Sequence, residues 1–425
     1  MKRTRGFVFV LIGLMIGQLA AADTQEERTA ALSEALAAAA QGNRFRLRFD
    51  GREFSGPGWE RLLAEGLKAQ FFLIGEEHGI AENPKLAAQL FASLSESGYS
   101  KLAIEISPPM ARIVDNTLRN GGLDGLHDLY ARPGGEPAFF GMAEEAELLA
   151  TVRAAAPGDR QVLWGVDYEV AGDRTLLRVL ESKSKPDAAR DSLDALVRAS
   201  DEKWSQYEVT RNPEFISTFS GDPALVRELR TSWPAPDRES AWIMETLEET
   251  LEINRLWIEG RAWESNRRRA SLLRSNFLRH WRVATAQGDS PRVMVKLGAN
   301  HIVRGRNMTS TFDLGSLLPE LADIQGGHSF SVMVVPGKDS SVAVLNPSSW
   351  SYESSPVEGG YSDNIEALTR AAYTDGFTLI DLIPIRPILG RRSRSANADL
   401  LRVVHGFDML LVMSGSTAST AFRSD

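Results

Sequence analysis

Continuous apolar segments recur along the chain and alternate with segments of helical periodicity. The apolar segments have the length of buried β-strands, and the segments between them repeat apolar residues with the spacing of amphipathic helices. The predicted strands cover residues 71–74, 101–106, 161–166, 292–297, 330–335, 378–385 and 409–413, and predicted helices cover residues 24–41, 60–69, 84–97 and 143–155. This alternation predicts a parallel sheet with helices on both faces.

Two shorter segments lie outside this alternation. Residues 44–54 alternate between polar and apolar side chains, which predicts a short strand or hairpin. Residues 346–363 are rich in proline, glycine and serine, which predicts a loop. The fold class that follows is α/β, with a mostly parallel central sheet flanked by helices.

The strand pattern stops between about residues 170 and 290, where the chain is helical, charged and rich in tryptophan. Residues 237–287 predict one long helix that is interrupted near Gly260, because glycine is unfavourable inside a helix. We interpret the segment 170–290 as a large helical insertion in a single α/β catalytic domain that covers residues 23–425.

The first 22 residues have the order of a secretory signal peptide. Basic residues at positions 2, 3 and 5 precede an apolar segment over residues 6–17, and small residues continue to Ala22. A membrane anchor is the alternative, but this segment is shorter than the roughly 20 apolar residues that a spanning helix needs. The pattern therefore predicts a signal peptide over residues 1–22 and a periplasmic or secreted protein.

Composition limits the classes of partner. The formal net charge is −8, and removal of residues 1–22 takes away three positive charges and no negative ones, which leaves −11. Such a surface repels phosphate backbones, so nucleic acid is not expected as a partner. The chain has no cysteine and therefore no disulfide, zinc-thiolate site or lipid-anchored cysteine. No apolar segment after the signal peptide is long enough to span a bilayer, and we expect a small-molecule or peptide substrate.

Two Gly-x-x-His segments carry the main candidate chemistry. Gly75 to His78 and Gly298 to His301 each follow an apolar strand directly. Open α/β sheets bind their ligands beyond the carboxyl ends of the strands, and glycine lets the chain turn sharply there. A single such segment occurs by chance, but two in matching contexts predict that His78 and His301 share one site.

Acidic residues accompany these turns. Glu76 and Glu77 precede His78, Glu105 lies near the end of the next strand, and Asp167 follows the third. A carboxylate beside an imidazole can bind a metal with it, or can orient the ring so that it acts as a general base. Glu105 could instead form a structural ion pair with an arginine. The chain lacks a Gly-x-Ser-x-Gly elbow, a Walker loop and a Gly-x-Gly-x-x-Gly fingerprint, which disfavours serine hydrolases, phosphate-loop enzymes and Rossmann dehydrogenases.

These motifs resemble the erythromycin esterase, ChaN-like and Tiki superfamily. The resemblance rests on segments that occur in order between about residues 70 and 320. They are Phe72 to Gly79, Glu105, Gly165 to Asp167, the helix segment Arg269 to Asn276, and Gly298 to His301. The resemblance implies an α/β fold with a helical insertion and a site between that insertion and the sheet.

The branches of the superfamily differ in chemistry. The esterase branch implies a histidine base that needs no metal, the Tiki branch a metal-dependent protease, and the ChaN branch haem binding. Esterases of the group place one more residue before the first histidine, and carry another histidine where this chain has Gly298. The spacing before His78 fits the Tiki pattern better, whereas the Asp167 turn and the Arg269 helix favour the esterase branch.

Carried over residue by residue, the resemblance implies a set of site residues. His78 is the base or first ligand, His301 the second histidine, and Glu76 and Glu105 their acidic companions. Supporting residues are Glu77, Asp167, Arg269 and Asn276, and a metal-dependent site would use His78, His301 and Glu105. The expected function is an exported hydrolase that cleaves an ester or amide bond. The alternative is a periplasmic protein that binds haem or a divalent metal through His78 or His301.

Overall fold

The computed structural model describes residues 25–158, 160–288, 290–357 and 364–423. Within these residues, nine strands form a central sheet. The predicted signal peptide, residues 1–22, lies outside them. The strands of the chain are β1 (Arg44–Phe49), β2 (Phe54–Ser55), β3 (Phe71–Glu76), β4 (Tyr99–Ile104), β5 (Leu163–Gly165), β6 (Arg292–Gly298), β7 (Ser329–Pro336), β8 (Ser341–Asn346), β9 (Ser351–Pro356), β10 (Phe377–Asp381) and β11 (Met409–Met413). The sheet order is β2-β1-β10-β11-β7-β3-β6-β4-β5.

The predicted parallel sheet is confirmed for six neighbouring strands. Strands β11, β7, β3, β6, β4 and β5 pair in parallel, whereas β10 is antiparallel to β11 and to β1. The central strands read as continuous apolar segments because both of their faces are buried. Phe72 and Ile74 face one apolar core, while Phe71 and Leu73 face the other.

Helices cover both faces of this sheet. They are α1 (Gln25–Gly42), α2 (Pro57–Gly66), α3 (Glu82–Leu94), α4 (Pro108–Tyr130), α5 (Ala143–Ala155), α6 (Asp173–Ser182), α7 (Asp187–Thr210), α8 (Ser217–Ser220), α9 (Pro223–Ser232), α10 (Arg238–Ile258), α11 (Ala262–Ala286), α12 (Ala299–Ile302), α13 (Leu314–Ile324), α14 (Glu366–Thr369), α15 (Arg386–Arg392) and α16 (Ala398–Gly406). Short 3-10 helices cover Ser95–Ser97, Pro213–Phe215, Ile383–Ile385 and Ser393–Ser395. In the described part of the chain, no helix is both long enough and apolar enough to cross a bilayer.

The predicted helical insertion is confirmed between β5 and β6, where the chain forms helices α6 to α11. These helices build their own apolar core, to which Leu176, Leu193, Leu229 and Met244 contribute. The predicted break in the long helix is also present, because α10 ends two residues before Gly260 and α11 begins two residues after it. Gly260 has a φ of 77°, a left-handed conformation that glycine adopts without strain.

Two local predictions are wrong. The segment predicted as a loop over residues 346–363 contributes strand β9, which pairs with β8 in an antiparallel hairpin. The residues of β9 are rich in serine and none of them is buried, so no apolar alternation marks the strand in the sequence. The strand predicted over residues 378–385 ends at Asp381, whose carboxylate accepts a hydrogen bond from the backbone of Ile383 and turns the chain into a 3-10 helix.

Candidate active site

The two Gly-x-x-His turns lie side by side at the carboxyl edge of the sheet. Strands β3 and β6 are neighbours, and their register places Glu76 opposite Gly298. A Cβ atom at position 75 would lie 3.0 Å from the Ala299 Cα and from the Phe407 ring, and one at position 298 would lie 3.2 Å from the His78 Nε2. Both positions therefore favour glycine for lack of space, and the glycines allow the turns to approach each other.

Both ring nitrogens of His78 have a carboxylate neighbour, and one face of the ring packs against an aromatic side chain. Its Nδ1 lies 3.0 Å from the Glu76 Oε1, and its Nε2 lies 3.5 Å from the Glu105 Oε2. The imidazole stacks on the Phe139 ring with a centroid distance of 4.4 Å. Phe139 adopts a φ of 65°, which is uncommon for a residue with a side chain. These contacts fix the ring, while 23% of the side chain stays exposed toward the site.

Glu76 also belongs to a buried chain of ion pairs, in which Lys296 lies between Glu76 and Glu145. The Lys296 Nζ lies 2.6 Å from the Glu76 Oε1 and 2.6 Å from the Glu145 Oε1. Lys296 is 1% exposed, so both carboxylates pair with it out of contact with water. Neither Lys296 nor Glu145 belongs to the motifs that predicted the site. A lysine inside the apolar segment 292–297 was the available signal, because a buried charge needs a partner.

Glu105 connects the two histidines. Its Oε2 accepts a hydrogen bond of 2.6 Å from the Gly298 backbone N–H, and its Oε1 accepts one of 2.9 Å from the Arg269 guanidinium. The Nε2 atoms of His78 and His301 each lie 3.5 Å from this carboxylate. The structural ion pair considered for Glu105 is therefore present, but it lies inside the histidine cluster.

His301 is oriented by a residue that the sequence analysis did not identify. Its Nδ1 lies 2.7 Å from the Oδ2 of Asp313, which is buried and caps helix α13 through its other oxygen. The His301 side chain is 8% exposed, less than that of His78. The second histidine is therefore the more enclosed of the two.

Arg269 anchors helix α11 to the sheet. Its Nε and one terminal nitrogen donate to Asp167 at 3.0 and 2.5 Å, and its guanidinium lies 4.8 Å from the centre of the Tyr168 ring. Asn276, two turns later on α11, donates to the Val166 carbonyl at 3.0 Å. Arg269 and Asp167 thus belong to the cluster, whereas Asn276 holds the helix against the segment after β5.

The cluster alters the proton affinity of its members. Burial acts to lower the pKa of His78, but hydrogen bonding and attraction to Glu105 and Glu76 outweigh it and raise the pKa to about 10. Burial also acts to lower the pKa of His301, but the negative charges of Glu105 and Asp313 raise it to about 9. Burial would raise the pKa of Glu105, yet attraction to His301 and hydrogen bonds from both rings hold it well below its usual range. The resting site therefore contains protonated imidazoles around an ionised carboxylate.

Two cavities open on this cluster. A cavity of about 410 Å³ reaches His78, Glu105, Arg269 and His301, and has apolar side chains such as Met333 on its wall. A second cavity of about 240 Å³ reaches His78, Glu105 and Arg269, and is also lined by Phe139 and Tyr168. The volume of the larger cavity is within the range of small-molecule sites, roughly 300 to 1,000 Å³.

The predicted metal ligands already have other hydrogen-bond partners in this arrangement. Both carboxylate oxygens of Glu105 accept hydrogen bonds, Oε1 from the Arg269 guanidinium at 2.9 Å and Oε2 from the Gly298 backbone N–H at 2.6 Å. Within the described ranges, no group of three histidine or acidic side chains is placed to hold a metal ion. The positive charge at the centre of the cluster comes from Arg269, and metal binding by His78, Glu105 and His301 stays a prediction, as does haem binding.

Glu77 and the remaining histidines differ in how far their side chains are exposed to solvent. Glu77 is exposed at the rim of the larger cavity, where the surrounding protein still removes part of the water around its carboxyl group and raises its pKa. His280 is a packing residue as predicted, because its ring stacks on Trp164 at 5.3 Å. The other histidines predicted to lie outside the site are exposed: His127, His328 and His405.

Solved structures resemble most of the chain. A histidine-to-asparagine mutant of an erythromycin esterase in its open conformation has a TM-score of 0.58 at 17% identity, with 89% of this chain and 98% of that chain covered. A Bacillus cereus protein has a TM-score of 0.57 at 14% identity, and a succinoglycan biosynthesis protein 0.56 at 13% identity; each match covers 92% of this chain and 99% of the other. No protein-family profile and no curated protein matches the sequence. The predicted resemblance is confirmed for the fold, which is erythromycin esterase-like.

Proposed function

We propose that the protein is a hydrolase that cleaves an ester or amide bond with a water molecule activated by His78. One observation carries this proposal: the Nε2 atoms of His78 and His301 approach the same carboxylate, Glu105, to 3.5 Å at a shared cavity. A fixed base beside fixed positive charge is what attack on a carbonyl group requires.

His78 is the general base because its ring is oriented and partly accessible. Glu76 holds Nδ1 at 3.0 Å, so that Nε2 is directed toward Glu105 and the cavity. In its neutral form, Nε2 accepts a proton from water while the water oxygen bonds to the substrate carbonyl carbon. The same nitrogen returns the proton to the leaving oxygen or nitrogen when the intermediate collapses, so the proton count balances.

His301 and Arg269 stabilise the oxyanion of that intermediate. His301 keeps its proton at neutral pH, because the negative charges of Glu105 and Asp313 raise its pKa to about 9. Arg269 is fixed by Asp167, so its charge needs no reorganisation when the oxyanion forms. Removal of one such donor typically costs about 10²-fold to 10³-fold in rate.

The raised pKa of His78 sets a condition on this mechanism. With a pKa of about 10, most molecules carry a protonated His78 at neutral pH, and only the neutral minority can act as a base. We therefore expect turnover that increases with pH. The erythromycin esterase-like fold supports a hydrolase, and the substrate class is proposed from the cavity: a small molecule or peptide with an ester or amide bond.

A panel of esters, lactones and peptides tests the proposal. We expect acid release from at least one class, with no loss of activity after chelation and dialysis, because Arg269 rather than a metal provides the central positive charge. Activity that disappears on chelation and returns with zinc or manganese would contradict the metal-free mechanism. His127→Asn is a matched control, because this histidine is exposed and outside the site.

We also propose export, on the strength of residues 1–22. The expected product in the periplasm or the medium begins at Asp23. Replacement of Ala22 by arginine should block cleavage, because the site requires a small residue. An intact amino terminus on protein found in the cytosol would contradict this proposal.

A further inference from the structure

A third cavity lies away from the histidine cluster, at the edge strand β5. Its volume is about 340 Å³, and it is enclosed by α4, α10, α11 and the segment before β5. The cavity is lined by His280, near the carboxyl end of helix α11, whereas Arg269 of the histidine cluster lies near the amino end of the same helix. At 1.5 Å per residue, roughly 16 Å of helix separates the two residues.

The lining of this cavity is strongly basic. The cationic side chains are Lys101, Arg112, Arg160, Arg238 and Arg279. No side chain in the lining, as far as the structure describes it, is acidic. This local excess of positive charge stands out in a chain whose net charge is −8. Like charges around a small cavity repel one another, so an anion between them would be stabilised.

Arg112 and Arg279 have carboxylate partners, but the partner of Arg112 is shared with a second cation. Arg112 lies 3.7 Å from Glu239, which is shared with Lys183 at 2.5 Å, and Arg279 pairs with Glu245 at 2.6 Å. Arg238 has no ion-pair partner among the described residues. The cavity therefore keeps guanidinium groups that can donate to a ligand.

The positive charge around the cavity affects the pKa of His280. It is buried between Trp164 and Trp242, and its Nε2 lies 3.0 Å from the Gly165 carbonyl oxygen. Burial lowers the pKa of His280, and the positive charges of Arg279, Lys101 and Arg238 lower it further against that hydrogen bond, to about 4. An anion in the cavity would weaken the effect of those charges.

We propose that this cavity binds a small oxyanion of the phosphate class, held by Arg112, Arg238 and Arg279. Guanidinium groups suit such a ligand because their parallel N–H groups match its oxygens. The volume admits an inorganic ion or the phosphate group of a small organic molecule. Trp242, whose ring is 5.2 Å from the Arg279 guanidinium, adds an aromatic wall against which an organic part would pack.

Titration calorimetry of the full chain with inorganic phosphate, at an ionic strength matched with chloride, tests the proposal. Wild-type protein should bind phosphate, and Arg238→Gln and Arg279→Gln should each bind it about tenfold more weakly, because a charged hydrogen bond is lost. Arg190→Gln is the matched control: that arginine is exposed on α7, where it pairs with Asp187. Wild-type affinity in Arg238→Gln and Arg279→Gln would overturn the site.

Two further measurements keep the test independent of folding defects. Phosphate should raise the pKa of His280 in the wild-type protein, followed by NMR of the imidazole protons, and an unchanged titration would count against the site. Phenyl phosphate distinguishes the sources: tighter binding than inorganic phosphate assigns the site to an organic phosphate, and equal or weaker binding assigns it to the free ion. Failure of both probes to bind would overturn the proposal.

Discussion

The two histidine turns share the Gly-x-x-His spacing but lie in different environments. In the first turn, His78 is held by Glu76 from its own turn, and Glu76 depends on the buried Lys296. In the second turn, His301 is held by Asp313, which comes from the start of another helix. Both rings reach Glu105 at 3.5 Å, but His78 is the more exposed. The same spacing therefore leads to different surroundings, and the proposed roles differ accordingly: an accessible base for His78 and an enclosed positive charge for His301.

The largest expected effect is that of His78→Asn. Asparagine keeps a polar side chain but cannot accept and return a proton, so we expect kcat to fall about 10³-fold, within the usual range for a general base. Steady-state kinetics on a responsive substrate, with circular dichroism to confirm folding, provides the measurement. A folded variant with wild-type kcat would refute the assignment of the base.

Replacement of Lys296 by methionine should act on stability as well as on the first turn. The change leaves Glu76 and Glu145 buried side by side without their cation, and we expect the free energy of unfolding to fall by about 3 kcal/mol. Urea denaturation measures it, and Lys68→Met is the control because Lys68 is largely exposed. A stability equal to that of wild type would mean that the ion-pair chain does not support the turn.

His301→Asn should have a smaller effect on catalysis than His78→Asn. Loss of one charge near the oxyanion predicts a fall in kcat of about 10²-fold. Because His301 does not transfer the proton in this mechanism, the dependence of kcat on pH should keep its shape. If His301→Asn abolishes the rise with pH and His78→Asn does not, the two roles are reversed.

The dependence of kcat on pH tests the role of His78 through a gradual change in rate. His78 has a raised pKa of about 10, so its neutral fraction grows about tenfold per pH unit below that value. We expect kcat to increase with pH from 7 to about 9, after subtraction of the rate of His78→Asn at each pH. A flat profile would indicate that the protonated form of His78, as an acid, is the active one.

The sequence alone determined which segments form the central parallel strands and where the two histidine turns follow them. Strands β3, β4, β6, β7 and β11 were predictable because central parallel strands must be apolar on both faces, and their order with helices follows from periodicity. His78, His301 and Glu105 were identifiable because each follows or ends such a strand. Strand β9 was not, since its exposed hairpin imposes no apolar pattern.

Tertiary structure decided which partners complete the site and where charge accumulates. Asp313 meets His301, and Glu145 meets Lys296, through contacts between elements distant in sequence, which periodicity does not encode. The basic cavity beside β5 likewise gathers arginines from three helices, each of which is an ordinary polar residue on its own helix. Strand and helix patterns arise from local burial, whereas ion pairs and cavities depend on how whole elements pack, because charge interactions act through space rather than along the chain.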